Sequence, residues 1–194
     1  MPIEPPHLPE AGTIFWQLAI VLALVLINGF FVASEFALVA VRKTRIDQLA
    51  AEGNRNATIV QHALRDLDRY IAATQIGITI ASLLLGGIGE PALHHILHPI
   101  FYNLGLPERG TFSSTIVATG LAYFIMTALH VIIGELMPKG IALQKSEATT
   151  LVIARPMLLF ARIFTPLIWM LNGIGNFLLH RIGFSAASEH GAVH

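Results

Sequence analysis

The chain has no cysteine, so neither a disulfide nor a thiolate metal site is open to it. Charge is nearly as scarce: Asp, Glu, Lys and Arg supply 12% of its 194 residues, about half of the roughly 25% found in water-facing domains. Twelve basic residues balance twelve acidic ones, which removes the basic footprint of a nucleic-acid binder. The N-terminus, Met1 to Gly12, is polar and Pro-rich and lacks the basic start of a signal peptide. No internal repeat of fixed period is present, which argues against an inverted-repeat transporter folded from one chain and leaves symmetry to a second copy.

What the chain has in excess is apolar sequence, 54% of residues with a mean hydropathy of +0.66. From Thr13 to Val41 the apolar run is nearly continuous, and roughly 20 such residues cross a hydrocarbon core of about 30 Å. The run stops at Arg42, Lys43 and Arg45. A second run, Tyr70 to Ile88, lies between Arg65/Arg69 and Glu90-Pro91, and a third, Thr115 to Met137, meets Pro138-Lys139. The fold class expected is all-α integral membrane: three transmembrane helices plus amphipathic juxtamembrane helices.

Basic residues set the orientation. Arg42, Lys43, Arg45, Arg55, Arg65 and Arg69 fall between spans one and two, five more follow span three, and Arg109 alone lies elsewhere. The positive-inside bias then puts the N-terminus outside and the C-terminus in the cytoplasm. Residues 1–12 become an extracytoplasmic leader and 13–147 the three-span domain. Within it, 43–68 reads as a cytoplasmic helical hairpin broken at Gly53-Asn54, and 91–106, which mixes His with Leu and aromatics, as an outer interfacial helix. Residues 148–184 are apolar but interrupted by Arg155-Pro156, Arg162 and Pro166, and are expected to lie along the inner interface as a helical belt.

Inside these spans stand polar residues that hydrocarbon does not welcome. A carboxylate at membrane depth costs about 3 kcal/mol on insertion scales, so it normally faces a pathway or a partner. Asn28 and Glu35 are seven apart on span one and share a face with Ser34 beside them; alone, Asn28 and Ser34 would pass as helix-packing groups, and Glu35 could pair with Arg42 near the surface. Span two offers Thr79 and Ser82, three apart, with Gly77 as a point of close approach or a source of carbonyl oxygen. In span three, Pro138 cannot bond the carbonyl of Gly134, which leaves an oxygen free beside Glu135; a plain proline kink with a Glu135–Lys139 pair is the alternative. These oxygen ligands (Asn28, Ser34, Glu35, Gly77, Thr79, Ser82, Gly134, Glu135) favour a hard cation, Mg²⁺, Ca²⁺ or Na⁺. His130 and Glu135 are five apart, so the H-E-x-x-H zinc pattern is absent. His94, His95 and His98 read as surface histidines, with nothing nearby to complete a coordination sphere.

The combination Asn28-Gly29 with Ser34-Glu35, Thr74-Gln75-Ile76-Gly77-Ile78-Thr79, and Gly134-Glu135-Leu136-Met137-Pro138-Lys139 resembles the transmembrane domain of the CorC/CNNM magnesium transporter family, over roughly Phe15 to Arg181. The resemblance implies a homodimer that exports Mg²⁺ across the inner (plasma) membrane, with Na⁺ the exchanged ion, no enzymatic activity, and cytoplasmic CBS domains beyond a linker that 185–194 would begin. Many relatives carry Gly-Asn-Thr where this chain has Gly77-Ile78-Thr79, and a second Asn where Ser82 stands, so Asn28, Ser82 or the Gly77 carbonyl would have to substitute. Three rivals remain open on the sequence: a membrane anchor and dimerisation module without its own ion site, an intramembrane metalloenzyme using His130 and Glu135, and a passive channel.

Overall fold

The computed structural model describes residues 10–106 and 113–182; most of the leader, Arg109 and the 185–194 linker lie outside them. Nine α-helices and two π-helical turns make up the described residues, which contain no strand. Helix α1 (Ala11–Ala40) runs for 30 residues, about 45 Å at 1.5 Å per residue, and ends where Val41 turns extended ahead of the Arg42-Lys43 pair. Helices α2 (Lys43–Ala51) and α3 (Arg55–Arg65) form a hairpin. Its turn depends on Gly53, at φ +89°, a left-handed conformation that costs glycine nothing. Asn54 then caps α3 by accepting from the Asn56 and Ala57 N–H groups at 3.0 and 3.2 Å.

Span two is longer than its apolar run suggests. Helix α4 (Leu67–Leu84) continues through a π-helical turn, Leu85–Gly89, into α5 (Glu90–Asn103), 37 helical residues without a break. The segment expected to be a separate interfacial helix is therefore the continuation of the span. Span three has the same construction: α6 (Ser114–Leu129), a π-helical turn at His130–Leu136, then α7 (Met137–Gln144). In both spans the π-turn ends two residues before a proline, Pro91 or Pro138. A pyrrolidine ring clashes with the carbonyl four residues back, and widening the turn to i→i−5 relieves that clash without ending the helix. Helices α8 (Ser146–Ile163) and α9 (Thr165–Arg181) follow, bent by 67° at Phe164. Among the described residues three helices are long and apolar enough to cross a membrane, and the bent α8–α9 pair would make a fourth if it is one broken span.

Outward faces carry Leu22, Leu26, Leu83, Phe124 and Trp169 exposed, a surface suited to lipid. Between helices the packing relies on small residues: Ala37, Ala73, Ala118, Ala122 and Ala142 are all fully buried. In lipid there is little hydrophobic drive to bring helices together, so close backbone approach and hydrogen bonds must do it. Two apolar clusters result. One joins Val21, Leu24 and Val25 of α1 to Leu85, Ala92 and Met126; the other joins Phe31, Leu38 and Val41 to the hairpin, α4 and α8 through Ile46, Val60, Ala73 and Met157. Between them along α1 lies Asn28.

Candidate functional site

Asn28 is fully buried and connects all three spans. Its Nδ2 donates to the Gly134 carbonyl at 3.0 Å, the oxygen that Pro138 cannot reach for want of an N–H. That bond fixes the orientation of the amide, because a carbonyl can only accept. Oδ1 is thereby turned to span two, where the Ser82 hydroxyl donates to it at 3.3 Å. Ser82 Oγ also lies 3.4 Å from His130 Nε2, which in turn lies 3.5 Å from Glu135 Oε1. Since the single Ser82 proton is directed to Asn28, the imidazole must supply the proton on its side of the contact, and Nε2–H faces both the serine oxygen and the carboxylate.

The π-turn makes this possible. On an α-helix residues five apart diverge, but with i→i−5 bonding, as in Met137 N–H to the Ile132 carbonyl, positions 130 and 135 return to one side. The sequence places His130 beside Glu135 only in the metalloenzyme alternative and not in the oxygen cluster; the signal for its membership is Pro138 itself, which calls for a wide turn upstream. The expected Glu135–Lys139 alternative does not form. Lys139 Nζ sits 4.5 Å over the Phe36 ring, and Glu135 keeps 46% of its side chain exposed.

Glycines allow the backbones to close around the site. A Cβ on Gly134 would stand 3.0 Å from His130 Cδ2 and 3.2 Å from Asn28 Nδ2, and one on Gly29 would stand 2.9 Å from Pro138 Cγ. Spans one and three thus touch through glycine at the level of the freed carbonyl.

Of the eight residues expected to ligate a cation, the structure brings four together: Asn28, Ser82, Gly134 and Glu135. Ser34 is buried, but its hydroxyl is spent on the Phe30 carbonyl of its own helix at 2.7 Å. Glu35 is half-buried against Thr74, two turns from Asn28 and about 10 Å along the axis. Gly77 lies beneath the Phe31 ring, whose atoms are 2.5 Å from where its Cβ would be. Thr79 is exposed, bonded to the Gln75 carbonyl at 2.8 Å, and faces a groove lined by Ile168 and Asn172. Among the described residues no three His, Asp or Glu side chains converge, so the cluster offers one carboxylate, neutral oxygens and an imidazole. His94 and His98 stack at 5.3 Å with planes 16° apart, and His98 Nε2 is engaged by the Ser114 and Thr115 hydroxyls at 3.3 and 3.1 Å.

Known proteins are similar to this chain in sequence. The family description "Cyclin M transmembrane N-terminal domain" matches residues 19–194. The chain is 47% identical to the UPF0053 protein YhdT of Bacillus subtilis (strain 168) over 92% of its own length and 38% of the relative's. It is 42% identical to YhdP of the same organism, over 92% and 39%, and 37% identical to the uncharacterized protein MT1889 of Mycobacterium tuberculosis (strain CDC 1551 / Oshkosh), over 88% and 48%. It spans less than half the length of these relatives. The family match over residues 19–194, together with these relatives, establishes that the chain belongs to the CNNM transmembrane-domain family of CorC/CNNM-type proteins.

Proposed function

We propose that this chain is the ion-translocating part of a magnesium transporter, moving Mg²⁺ out of the cytoplasm in exchange for Na⁺, and that it is not an enzyme. The observation that carries the reading is the meeting of Asn28, Ser82, Gly134 and Glu135 from three spans at one level of the membrane. Mg²⁺ requires octahedral oxygen ligation at about 2.1 Å and sheds water reluctantly, so it binds through one or two carboxylates while keeping several waters. Glu135, partly exposed, supplies the charge. The Gly134 carbonyl has a second lone pair beyond the one given to Asn28, and Ser82 and the Asn28 amide lie alongside.

In this reading the cation competes with His130 for Glu135, and occupancy loosens the hydrogen bonds that hold spans one, two and three together. That coupling gives alternating access its physical basis: the ion favours the arrangement in which the Asn28 network is rearranged around it. Glu35 with Thr74 forms a second polar level, about two turns nearer the basic end of α1, where an ion would be met on entry or on leaving. The working unit is a homodimer in the plasma membrane, N-terminus outside, with CBS domains following in the full-length protein.

One observation favours the anchor reading instead. The Ser34, Thr74 and Thr79 hydroxyls are all satisfied by carbonyls of their own helices, as packing residues would be. Proteoliposomes decide between the two. Glu135→Ala is expected to abolish Mg²⁺ flux and Mg²⁺-dependent thermal stabilisation; full flux in that variant refutes the assignment, and absence of both in the unaltered protein supports the anchor.

A further inference from the structure

At the basic end of the molecule a cavity of about 1000 Å³ opens between the end of α1, helix α2 and the α7–α8 junction. Arg42, Arg45 and Lys145 line it, opposed by Glu147 alone among its lining residues. Arg45 is held in place, its Nε 3.1 Å from Glu147 Oε2 and its Nη1 2.9 Å from Gln48 Oε1. Arg42 and Lys145 are exposed and have no carboxylate partner among the described residues. The first turns of α2 and α8 also face the cavity through Thr44, Arg45, Ser146 and Glu147, and neither helix has a side-chain cap on its first N–H groups. Such groups and their dipoles attract negative charge.

Its place in the fold narrows the ligand. Spans one and three both leave the apolar layer here, at Ala40 and Gln144, and the walls include Val41, Leu143 and Leu151. A cationic floor beside apolar walls at the membrane edge matches a phosphate on a glycerol backbone with acyl chains alongside. Basic pockets between transmembrane helices recognise anionic headgroups in this way.

We infer that this cavity binds the phosphate of an anionic lipid headgroup, clamping α2 and α8 to the ends of spans one and three. Arg42 and Lys145 contact the phosphate directly, and Glu147 holds Arg45 in orientation while limiting affinity.

Native mass spectrometry of the whole chain, released from bilayers mixing phosphatidylglycerol with phosphatidylcholine, tests the assignment. The unaltered protein should retain phosphatidylglycerol preferentially, and the paired substitution Arg42→Gln with Lys145→Gln should reduce that retention about 30-fold, roughly fivefold per cation. Glu147→Gln keeps an acceptor for Arg45 and removes the opposing charge, so it should raise retention. Equal retention of the two lipids, or no change in the paired variant when its helical content is intact, overturns the proposal. In a third arm inorganic phosphate is added at millimolar concentration: lipid retention that survives it supports the headgroup, whereas displacement of the lipid together with stabilisation in pure phosphatidylcholine assigns the cavity to a soluble phosphate and overturns the lipid assignment.

Discussion

Replacing Asn28 with Ala removes a fully buried side chain that hydrogen-bonds to both other spans. Two bonds are lost, Nδ2 to Gly134 O at 3.0 Å and Ser82 Oγ to Oδ1 at 3.3 Å. Interhelical hydrogen bonds in membranes average about 0.6 kcal/mol and reach about 1.7. The first should fall at the upper end, because Pro138 offers Gly134 no backbone replacement and a buried unsatisfied carbonyl costs about 1–3 kcal/mol. A total of about 2–3 kcal/mol follows for a site that is fully buried. For a chain of this size that corresponds to a fall in Tm of about 5–10 °C, read from the fluorescence of Trp16 and Trp169 in detergent or nanodiscs. Ser82→Ala removes the bond to Asn28 at 3.3 Å and the contact with His130 at 3.4 Å, both long, and should cost about 1 kcal/mol; the double variant should cost less than the sum because the bond between the two residues is lost in either single variant. Asn28→Asp retains an acceptor for Ser82 but turns an oxygen toward the Gly134 carbonyl when ionised, so above neutral pH it should be at least as damaging as Ala. A Tm shift under about 1 °C for Asn28→Ala would refute the claim that this amide ties the spans together.

Other substitutions probe the surrounding packing. Gly77→Ala places a methyl within 2.5 Å of the Phe31 ring, which is itself wedged against Phe160 at 4.6 Å; a loss of about 1–3 kcal/mol is expected, with partial rescue by Phe31→Leu in a double-mutant cycle. Gly53→Ala must hold φ +89° with a Cβ, and should cost about 1–2 kcal/mol, measured by the same thermal assay. Arg45→Gln breaks an ion pair whose two side chains are 44% and 43% exposed, so its effect on Tm should stay within that of about 1 kcal/mol and shrink further in high salt.

The spans were legible from sequence because hydrocarbon imposes one requirement, some 20 apolar residues with every backbone group bonded internally. Asn28, Ser82, Gly134 and Glu135 were legible for the converse reason: each is a polar or proline-coupled exception in such a run. What the sequence hid was helical phase. At 3.6 residues per turn His130 and Glu135 diverge, and the π-turn brings them together; the alternative Glu135–Lys139 pair does not form, and Lys139 goes to Phe36 instead. Similarly, sharing a face does not mean sharing a level. Glu35 and Asn28 align on α1 but stand two turns apart, and of Thr79 and Ser82 only the second is turned toward α1. The length of span two was hidden by Glu90-Pro91, which looks like a terminus until the preceding Gly-rich turn widens to admit the ring.

If a small hard cation neutralises Glu135 between the three spans, as proposed, it should be visible by anomalous diffraction from crystals soaked in Mn²⁺ as a stand-in for Mg²⁺, then back-soaked with excess Mg²⁺. One ion is expected, with oxygen ligands at about 2.1–2.2 Å, Glu135 among them and Ser82, Asn28 or the Gly134 carbonyl beside it, displaced by Mg²⁺ and absent in Glu135→Gln. An undisturbed Glu135–His130 contact with no ion at millimolar metal, or an ion that persists in Glu135→Gln, would contradict it.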